Sequence, residues 1–217
     1  VAGVFFQPME FVMDYTSASR EVLSHFDKYE IPVLLLDYDI VPSPERSTYD
    51  LVGIDNIAAG LSIGRFLVKK GAKKICFLQR PGAAPTVMDR LRGVALAAVE
   101  AGLPWTKKQN VLRCEPDNRR AVSRFVTVER PDAIVSGNDI AAAKLQETLV
   151  ALKKDAGIRL AGFDDVAVAA KLNLTTCRQP LVDLAHVAFQ TLLQRIKSPL
   201  LPPRTILLSA PLVERSN

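Results

Sequence analysis

The sequence is poor in the residue types on which most enzymatic sites depend. It has only two histidines, His25 and His186, and neither lies at the end of a predicted strand beside a Ser or Cys nucleophile. It contains no phosphate-binding loop, no dinucleotide-binding glycine signature and no metal-ligand spacing. Adjacent carboxylates at Asp164 and Asp165 could serve acid–base chemistry, but no other feature supports a reaction. We therefore predict that the protein is not an enzyme and that it uses no cofactor or metal.

Cysteine is also scarce. Cys76, Cys114 and Cys177 form an odd set without C-x-x-C spacing and without a histidine close enough in sequence to complete a metal site. Cys76 lies in the apolar run 75–78 and is predicted to be a core residue. This pattern favours a reducing compartment, so we predict a cytoplasmic location.

Long apolar runs and basic clusters are missing too. No uninterrupted apolar run reaches the roughly 18 residues of a membrane span, and no leader-like segment opens the chain, so we predict no membrane partner. The net charge of +5 comes from Lys and Arg residues scattered in ones and twos. We do not expect this chain itself to bind DNA. Residues 1–6 already read as a buried strand, so we expect the sequence to begin within a longer polypeptide.

The most informative stretch that is present covers residues 131–139. Its apolar residues 133–135 lie between Pro131 and Gly137, a pattern typical of a buried strand in a parallel sheet. Asn138 and Asp139 follow, just before a helical pattern. In open α/β sheets the ligand crevice lies beyond the carboxyl ends of the strands. The same residues are equally typical of a helix N-cap, and this segment alone does not separate the two roles.

Other predicted strands end in the same way, which favours a polar cleft. Residues 31–36 lead to Asp37 and Tyr38, residues 51–54 lead to Asp55 and Asn56, and residues 158–161 lead through Gly162 and Phe163 to Asp164 and Asp165. Strands and helices alternate along the whole chain. The sequence therefore predicts an α/β fold with doubly wound parallel sheets and helices on both faces.

The helical segments carry further local signals. Apolar residues recur at helical spacing over residues 57–70, where Gly60 and Gly64 would weaken an isolated helix and so indicate close packing against a neighbour. Gly71 is predicted to end this helix, and Asn118 is predicted to cap a later one.

At this point an ordered set of short motifs resembles the effector-binding core of the LacI/GalR family of bacterial transcription regulators, which is similar in fold to periplasmic sugar-binding proteins. The matching pieces span nearly the entire chain and occur in the family's order. They are Ile31-Pro-Val33 through Asp37, Gly53-Ile-Asp-Asn56 with Gly60, Gly71 with Lys74-Ile75, Arg90 with Arg92-Gly93, Pro131-Asp-Ala-Ile with Asn138-Asp139, Gly162-Phe-Asp-Asp165, Leu174-Thr-Thr176 with Gln179-Pro180, and Leu212 with Glu214-Arg215.

The resemblance implies a periplasmic-binding-protein-like fold, with two subdomains joined by crossover strands and a small molecule bound between them. Residues 1–56 and 180–203 would form an incomplete amino-terminal subdomain, and residues 57–179 and 204–217 the carboxy-terminal one. Operator DNA would be bound by a headpiece absent from this chain, and the protein would be a homodimer. The headpiece type, helix-turn-helix or winged helix, stays open.

The resemblance also implies a ligand-binding set. Carried over residue by residue, the contacts are Asp37, Arg90, Asn138 and Asp164, with Tyr38 and Asp55 as further candidates. Carboxylates accept hydroxyl protons, a guanidinium donates a rigid fork, and an amide does both, so this set suits a sugar or related polyol better than a nucleobase. Alternatively, Asp55 caps the helix over residues 57–70 and Arg90 is an exposed residue in the first turn of its helix.

One departure from the family affects the ligand. The position where many members place an aromatic that stacks on the ligand holds Cys114 or Glu115 here. Either Tyr38 or Phe163 supplies the stacking surface, or the ligand has no flat face.

These observations predict a ligand-responsive core of a transcription regulator, with a periplasmic sugar-binding receptor of a transport system as the alternative. We expect Arg90→Ala to abolish the effector response while leaving the core folded.

Overall fold

A computed structural model describes residues 1–8, 15–42 and 45–215. Within them, the strands are β1 Val4–Phe6, β2 Val33–Leu36, β3 Asp50–Ile54, β4 Ile75–Gln79, β5 Val111–Arg113, β6 Ala133–Ser136, β7 Arg159–Asp164, β8 Thr175–Arg178, β9 Thr205–Leu208 and β10 Leu212–Val213. The helices are α1 Tyr15–Lys28, α2 Asn56–Lys69, α3 Pro85–Glu100, α4 Lys107–Asn110, α5 Arg119–Glu129, α6 Asp139–Ala151, α7 Ala167–Lys171 and α8 Leu181–Lys197. The predicted alternation of strands and helices is confirmed.

The chain forms two compact units. The first contains residues 1–55, 84–86 and 180–209, and the second contains residues 56–83, 87–179 and 210–217.

The first unit is built on a parallel sheet with the strand order β1-β2-β3-β9. Successive side chains of a strand point to opposite faces, so each strand contributes to two cores. Leu35 and Leu51 pack with Leu23 of α1 on one face. Leu34 and Val52 pack with Leu192 of α8 on the other. The unit is therefore doubly wound, as predicted.

The second unit has a larger sheet with the order β10-β8-β7-β6-β4-β5, in which only the pairing of β10 with β8 is antiparallel. One face of the sheet is covered by α2 and α3, which contribute residues such as Ile63 and Val94. The opposite face is covered by α5, α6 and α7, where Leu145 packs. Cys76 lies in this second core, so its prediction as a core residue is confirmed.

The predicted signals at the helix ends are also confirmed. The Asn118 side chain accepts a hydrogen bond from the backbone N–H of Ala121 at 3.1 Å and so caps α5. Gly71 has a φ of 89° just beyond α2, a conformation that glycine adopts without a steric penalty. In the described residues, no helix is long and apolar enough to cross a membrane.

Two boundaries differ from those expected. Residues 204–209 are expected in the carboxy-terminal subdomain, but β9 pairs in parallel with β3 and so belongs to the first unit. The helix that carries Arg90 begins at Pro85, because proline suits the first helical position, where no backbone N–H is needed. Arg90 consequently lies in the second turn. The equivalence of the two units with the subdomains of the family stays a prediction.

A cluster of ion pairs around the buried Asp50 links β3, α8 and the residue before β9 in the first unit. Asp50, whose side chain is 1% exposed, accepts hydrogen bonds from Nε and Nη2 of Arg195 and from the backbone and side chain of Arg204. Burial alone would raise the pKa of Asp50, but the hydrogen bonds from both arginines outweigh it and hold the pKa below its ordinary value.

We expect Asp50→Asn to lower the free energy of unfolding at neutral pH by about 3 kcal/mol, because the variant leaves two partly buried arginine charges without their partner. Since the pKa of Asp50 is depressed, the loss should be constant above about pH 4 and shrink below it. Urea titrations followed by circular dichroism measure this. Asp183→Asn, an exposed carboxylate on α8, should change stability by less than about 0.5 kcal/mol. Equal losses in the two variants would contradict the assignment.

Candidate functional site

Polar side chains converge at the carboxyl ends of the parallel strands in the second unit. Asn138 follows β6, Asp164 is the last residue of β7 and Gln179 follows β8. Because β6, β7 and β8 are adjacent and parallel, these three residues lie along one edge of the sheet. Arg90 reaches the same edge from α3 and contacts Gly137 and Asp164. The structure thus brings together the predicted residues Arg90, Asn138 and Asp164.

Arg90 is the centre of this cluster, although it is only 4% exposed. Its Nε donates to the Asn56 Oδ1 at 2.8 Å, and its Nη1 donates to the Gly137 carbonyl at 2.7 Å. The same Nη1 lies 3.3 Å from the Asp164 Oδ1. The guanidinium carbon sits 4.8 Å from the centroid of the Phe163 ring, within cation–π range. Among the described residues, Nη2 has no hydrogen-bond partner, which leaves its donors for a ligand.

This environment corrects the expectation for Arg90→Ala. Truncation would remove the donor to the Gly137 carbonyl, the donor to Asn56 and the charge partner of Asp164, and a buried group left unpaired costs about 1–3 kcal/mol. Arg90→Lys keeps the charge and removes the fork, so it is the gentler test.

Close contact between α2 and α3 sets the position of Arg90. A Cβ added at Gly60 would lie 2.1 Å from the Arg90 carbonyl oxygen, and one at Gly93 would lie 2.1 Å from the Ile57 carbonyl oxygen. A Cβ added at Gly64 would likewise lie 2.4 Å from the Cβ of Ala97. The prediction that Gly60 and Gly64 mark close packing is confirmed.

Asp164 is held in an unusual backbone conformation. Its φ is 101°, in a region that residues other than glycine rarely adopt. Its Oδ1 accepts a hydrogen bond from the Gln179 Nε2 at 2.6 Å in addition to its contact with Arg90. The sequence analysis included Gln179 only in a family motif and assigned it no role. Its position directly after β8 gives it the same strand-end placement as Asp164.

Asn138 acts as the N-cap of α6. Its Oδ1 accepts the backbone N–H of Ala141 at 2.8 Å, so the capping alternative is confirmed for this atom. The cap fixes the side chain and leaves the Nδ2 donors to make other contacts. Capping and ligand binding are therefore compatible in one residue.

The remaining predicted residues lie in the first unit. Asp37 follows β2 with a φ of 73°, and Gly53 of β3 makes room for its carbonyl, since a Cβ there would lie 2.8 Å from that oxygen. The Asp55 backbone N–H donates to the Leu208 carbonyl. Tyr38 is 5% exposed and its hydroxyl donates to the Pro8 carbonyl at 2.9 Å, which is a structural contact. Ligand binding by Asp37, Tyr38 and Asp55 stays a prediction.

The two residues that could replace the missing aromatic offer no stacking surface at the strand ends. Phe163 is 1% exposed and its ring is covered by Arg90, while Tyr38 is buried as described above. Cys114 is buried in the core, and Glu115 forms an ion pair with Arg80 at 2.8 Å. Of the two explanations given for the missing aromatic, the geometry favours a ligand without a flat face.

The side chains that could bind a metal or react with a ligand are either dispersed or buried. Within the described part of the chain, no group of three or more His, Cys, Asp or Glu side chains is placed to hold a metal ion. All three cysteines are free and buried. Burial raises the pKa of Cys76 and of Cys177 to about 12, so these thiols are protonated and unreactive at neutral pH.

Comparison with protein families identifies the family of this chain. Residues 65–216 match the family described as a periplasmic binding protein-like domain. The chain belongs to this family.

Relatives of this chain include bacterial repressors. The chain is 26% identical over 209 residues to the ribose operon repressor of Escherichia coli (strain K12), covering 92% of this chain and 61% of that protein. It is 31% identical over 197 residues to the HTH-type transcriptional repressor PurR of Yersinia pestis bv. Antiqua, covering 87% of this chain and 57% of that protein. The chain thus spans about three fifths of the length of these relatives.

Solved structures share the fold. The complex of the transcriptional regulator CelR with cellobiose superimposes with a TM-score of 0.83 at 20% identity, covering 99% of this chain and 65% of that one. A LacI-family regulatory protein from Chloroflexus aggregans superimposes with a TM-score of 0.80 at 21% identity, covering 100% of this chain and 76% of that one. A LacI-family regulator from Enterococcus faecalis V583 with bound ribose superimposes with a TM-score of 0.77 at 21% identity, covering 99% of this chain and 76% of that one. The predicted fold class is confirmed.

We expect Gly60→Ala to destabilise the second unit by about 1–3 kcal/mol, because the added methyl group collides with the backbone that carries Arg90. Chemical denaturation measures the change. Ser62→Ala on the same helix should stay within about 0.5 kcal/mol of the wild type. If Gly60→Ala instead stabilised the protein by the roughly 1 kcal/mol that alanine gains over glycine in a helix, the close α2–α3 contact would be wrong.

Proposed function

We propose that this chain is the effector-binding core of a bacterial DNA-binding transcription regulator, and that its effector is a neutral sugar or related polyol. The observation that carries the proposal is the cluster of Arg90, Asn138, Asp164 and Gln179 at the carboxyl ends of β6, β7 and β8. The named relatives are repressors, and solved neighbours contain ribose or cellobiose.

The chemistry of the cluster suits hydroxyl groups. The contacts described above occupy Nε and Nη1 of Arg90 and Oδ1 of Asp164, so the Arg90 Nη2 remains a donor and the Asp164 Oδ2 remains an acceptor. Asn138 adds the Nδ2 donor. A polyol offers alternating donors and acceptors to such a set, and a ligand that fails to match leaves a buried group unpaired at about 1–3 kcal/mol.

The charge balance of the cluster favours an uncharged ligand. The Arg90 guanidinium already faces the Asp164 carboxylate at 3.3 Å, and the adjacent Asp165 is paired with Arg178 and Arg215. A phosphorylated or acidic sugar would have to displace one of these carboxylates from its partner. A nucleobase is the second candidate, but the described residues at this edge of the sheet offer it no exposed aromatic to stack on.

The rest of the proposal concerns the whole polypeptide. A DNA-binding headpiece outside this chain would contact the operator, the protein would act as a homodimer in the cytoplasm, and effector and DNA affinities would be reciprocally coupled. We propose no enzymatic activity. The repressor names of the relatives favour this account over a periplasmic sugar-binding receptor.

Calorimetric titration of the chain with D-ribose, D-glucose, cellobiose and adenine tests the proposed ligand class. We expect a sugar to bind and Arg90→Lys to weaken that sugar at least about tenfold, since an ammonium cannot reproduce the guanidinium fork. The urea midpoint should also fall, because one ammonium cannot keep the bonds to both Asn56 and Gly137, so the titration is made where circular dichroism shows the variant folded.

Arg65→Lys is the matched control, because Arg65 forms a comparable two-point contact with Glu100 at an exposed position of α2. It should bind the sugar like the wild type. Wild-type sugar affinity in Arg90→Lys would refute the site, preferential binding of adenine would refute the sugar class, and turnover of a bound sugar would refute the non-enzymatic role.

A further inference from the structure

One buried carboxylate beside the proposed ligand contacts, Asp139, bonds to the turn that follows β7. Asp139, the first residue of α6, is 0% exposed. Its Oδ1 accepts the Thr176 hydroxyl at 2.7 Å, and its Oδ2 accepts the backbone N–H of Val166 at 3.1 Å. The Thr176 hydroxyl oxygen in turn accepts the backbone N–H of Asp165 at 3.3 Å. Asp139 therefore holds two successive backbone groups of the turn that follows β7, one directly and one through Thr176.

The turn after β7 has a strained backbone that requires stabilising contacts. Asp164 and Asp165 have φ values of 101° and 55°, so two successive residues other than glycine adopt left-handed backbone conformations. Such conformations cost free energy and persist only where surrounding contacts enforce them. The side chain of Asp165 is anchored by Arg178 and Arg215 at 2.6 Å each. Its backbone and that of Val166 are anchored by the Asp139–Thr176 pair.

The sheet makes room for this arrangement. A Cβ at Gly162 on β7 would lie 2.3 Å from the Asp139 Oδ1 and 3.0 Å from its Cα. Only glycine at this position lets the carboxylate lie directly against the strand whose end it holds. The start of α6, the end of β7 and the middle of β8 are thus joined through one carboxylate.

The charge of Asp139 is costly in this setting. Burial, together with the neighbouring Asp164 carboxylate, raises the pKa of Asp139 to about 6, although the bonds from Thr176 and Val166 oppose the shift. Nearby, Asp165 directly after β7 is paired with Arg178 of β8 and with Arg215, and the Cys177 thiol of β8 stays protonated. Arg159 lies at the opposite end of β7. As the pH falls through about 6, Asp139 gains a proton and one oxygen becomes a poor acceptor.

We propose that Asp139 is a positioning residue whose ionised carboxylate fixes the turn at residues 164–166, so that Asp164 is presented to Arg90 and to the ligand. The inference rests on the proposed function for its consequence in binding. The hold on the turn itself can be tested without any ligand.

The test compares Asp139→Asn with the wild type in two measurements. The first is deuterium exchange of the peptide covering residues 163–168 in the unliganded chain, and the second is calorimetric titration with D-ribose between pH 5 and pH 8. We expect exchange at residues 165 and 166 to accelerate about tenfold or more. We expect the ribose affinity of the wild type to decline below pH 6. In Asp139→Asn we expect the affinity at pH 7.5 to be about tenfold lower than that of the wild type and to show no such decline.

The matched control is Asp132→Asn at the opposite end of β6. Asp132 also accepts backbone hydrogen bonds, from Lys73 at 2.8 Å and Lys74 at 2.7 Å, but it lies away from the turn. It should leave exchange at residues 165 and 166 and the pH profile of ribose binding unchanged. A purely structural role of Asp139 would instead lower the urea midpoint and leave the pH profile intact.

Thr176→Val provides a second variant if Asp139→Asn does not fold. It removes the hydroxyl that links Asp139 to Asp165, and Thr148→Val, a buried threonine within α6, is its control. Exchange at residues 165 and 166 equal to the wild type in both test variants would overturn the proposal, as would unchanged ribose affinity with an unchanged pH profile. If the wild type does not bind ribose, the sugar proposal loses that ligand, and the exchange measurement still decides the role of Asp139.

Discussion

The buried guanidinium of Arg90 is the constraint on which the second unit's strand-end architecture depends. A charge removed from water is tolerated only where it is paired and hydrogen-bonded. Arg90 obtains its partners from separate segments: the start of α2 through Asn56, the end of β6 through Gly137 and the end of β7 through Asp164. Satisfying one side chain therefore fixes these segments relative to each other. The same contacts leave one edge of the guanidinium for the proposed ligand.

Other unusual features of this unit follow from that constraint. The glycines Gly60 and Gly93 bring α2 and α3 close enough for Arg90 to reach the strand ends. Asp164 adopts a left-handed conformation to meet Arg90, and Asp139 and the arginines around Asp165 hold the strained turn. Asp164 and Asp165 place two successive left-handed residues where the ligand is proposed to bind, whereas Arg130, Lys153 and Asn173 adopt positive φ singly elsewhere in this unit. The cores on the two faces of the sheet are ordinary packed apolar clusters.

Much of this organisation was predictable because it depends on local pattern. Short continuous apolar runs identified strands with two buried faces. The strand-end position selected Arg90's neighbours Asn138 and Asp164, and Gly60 indicated close packing. The depth of Arg90, the contact of Gln179 and the burial of Tyr38 were not predictable, because they depend on which side chains meet across segments distant in sequence. The position of β9 beside β3 was not predicted for the same reason, because the two strands are far apart in the sequence.

The central claim is that Arg90 and Asp164 act as one ligand-binding pair. A double-mutant cycle with Arg90→Lys, Asp164→Asn and the combined variant, measured by calorimetric titration with D-ribose, tests it most directly. If the claim holds, each single variant weakens binding, and the double variant loses less than the two single losses combined, with a coupling of at least about 1 kcal/mol. Wild-type affinity in both single variants, or losses that simply add, would contradict it.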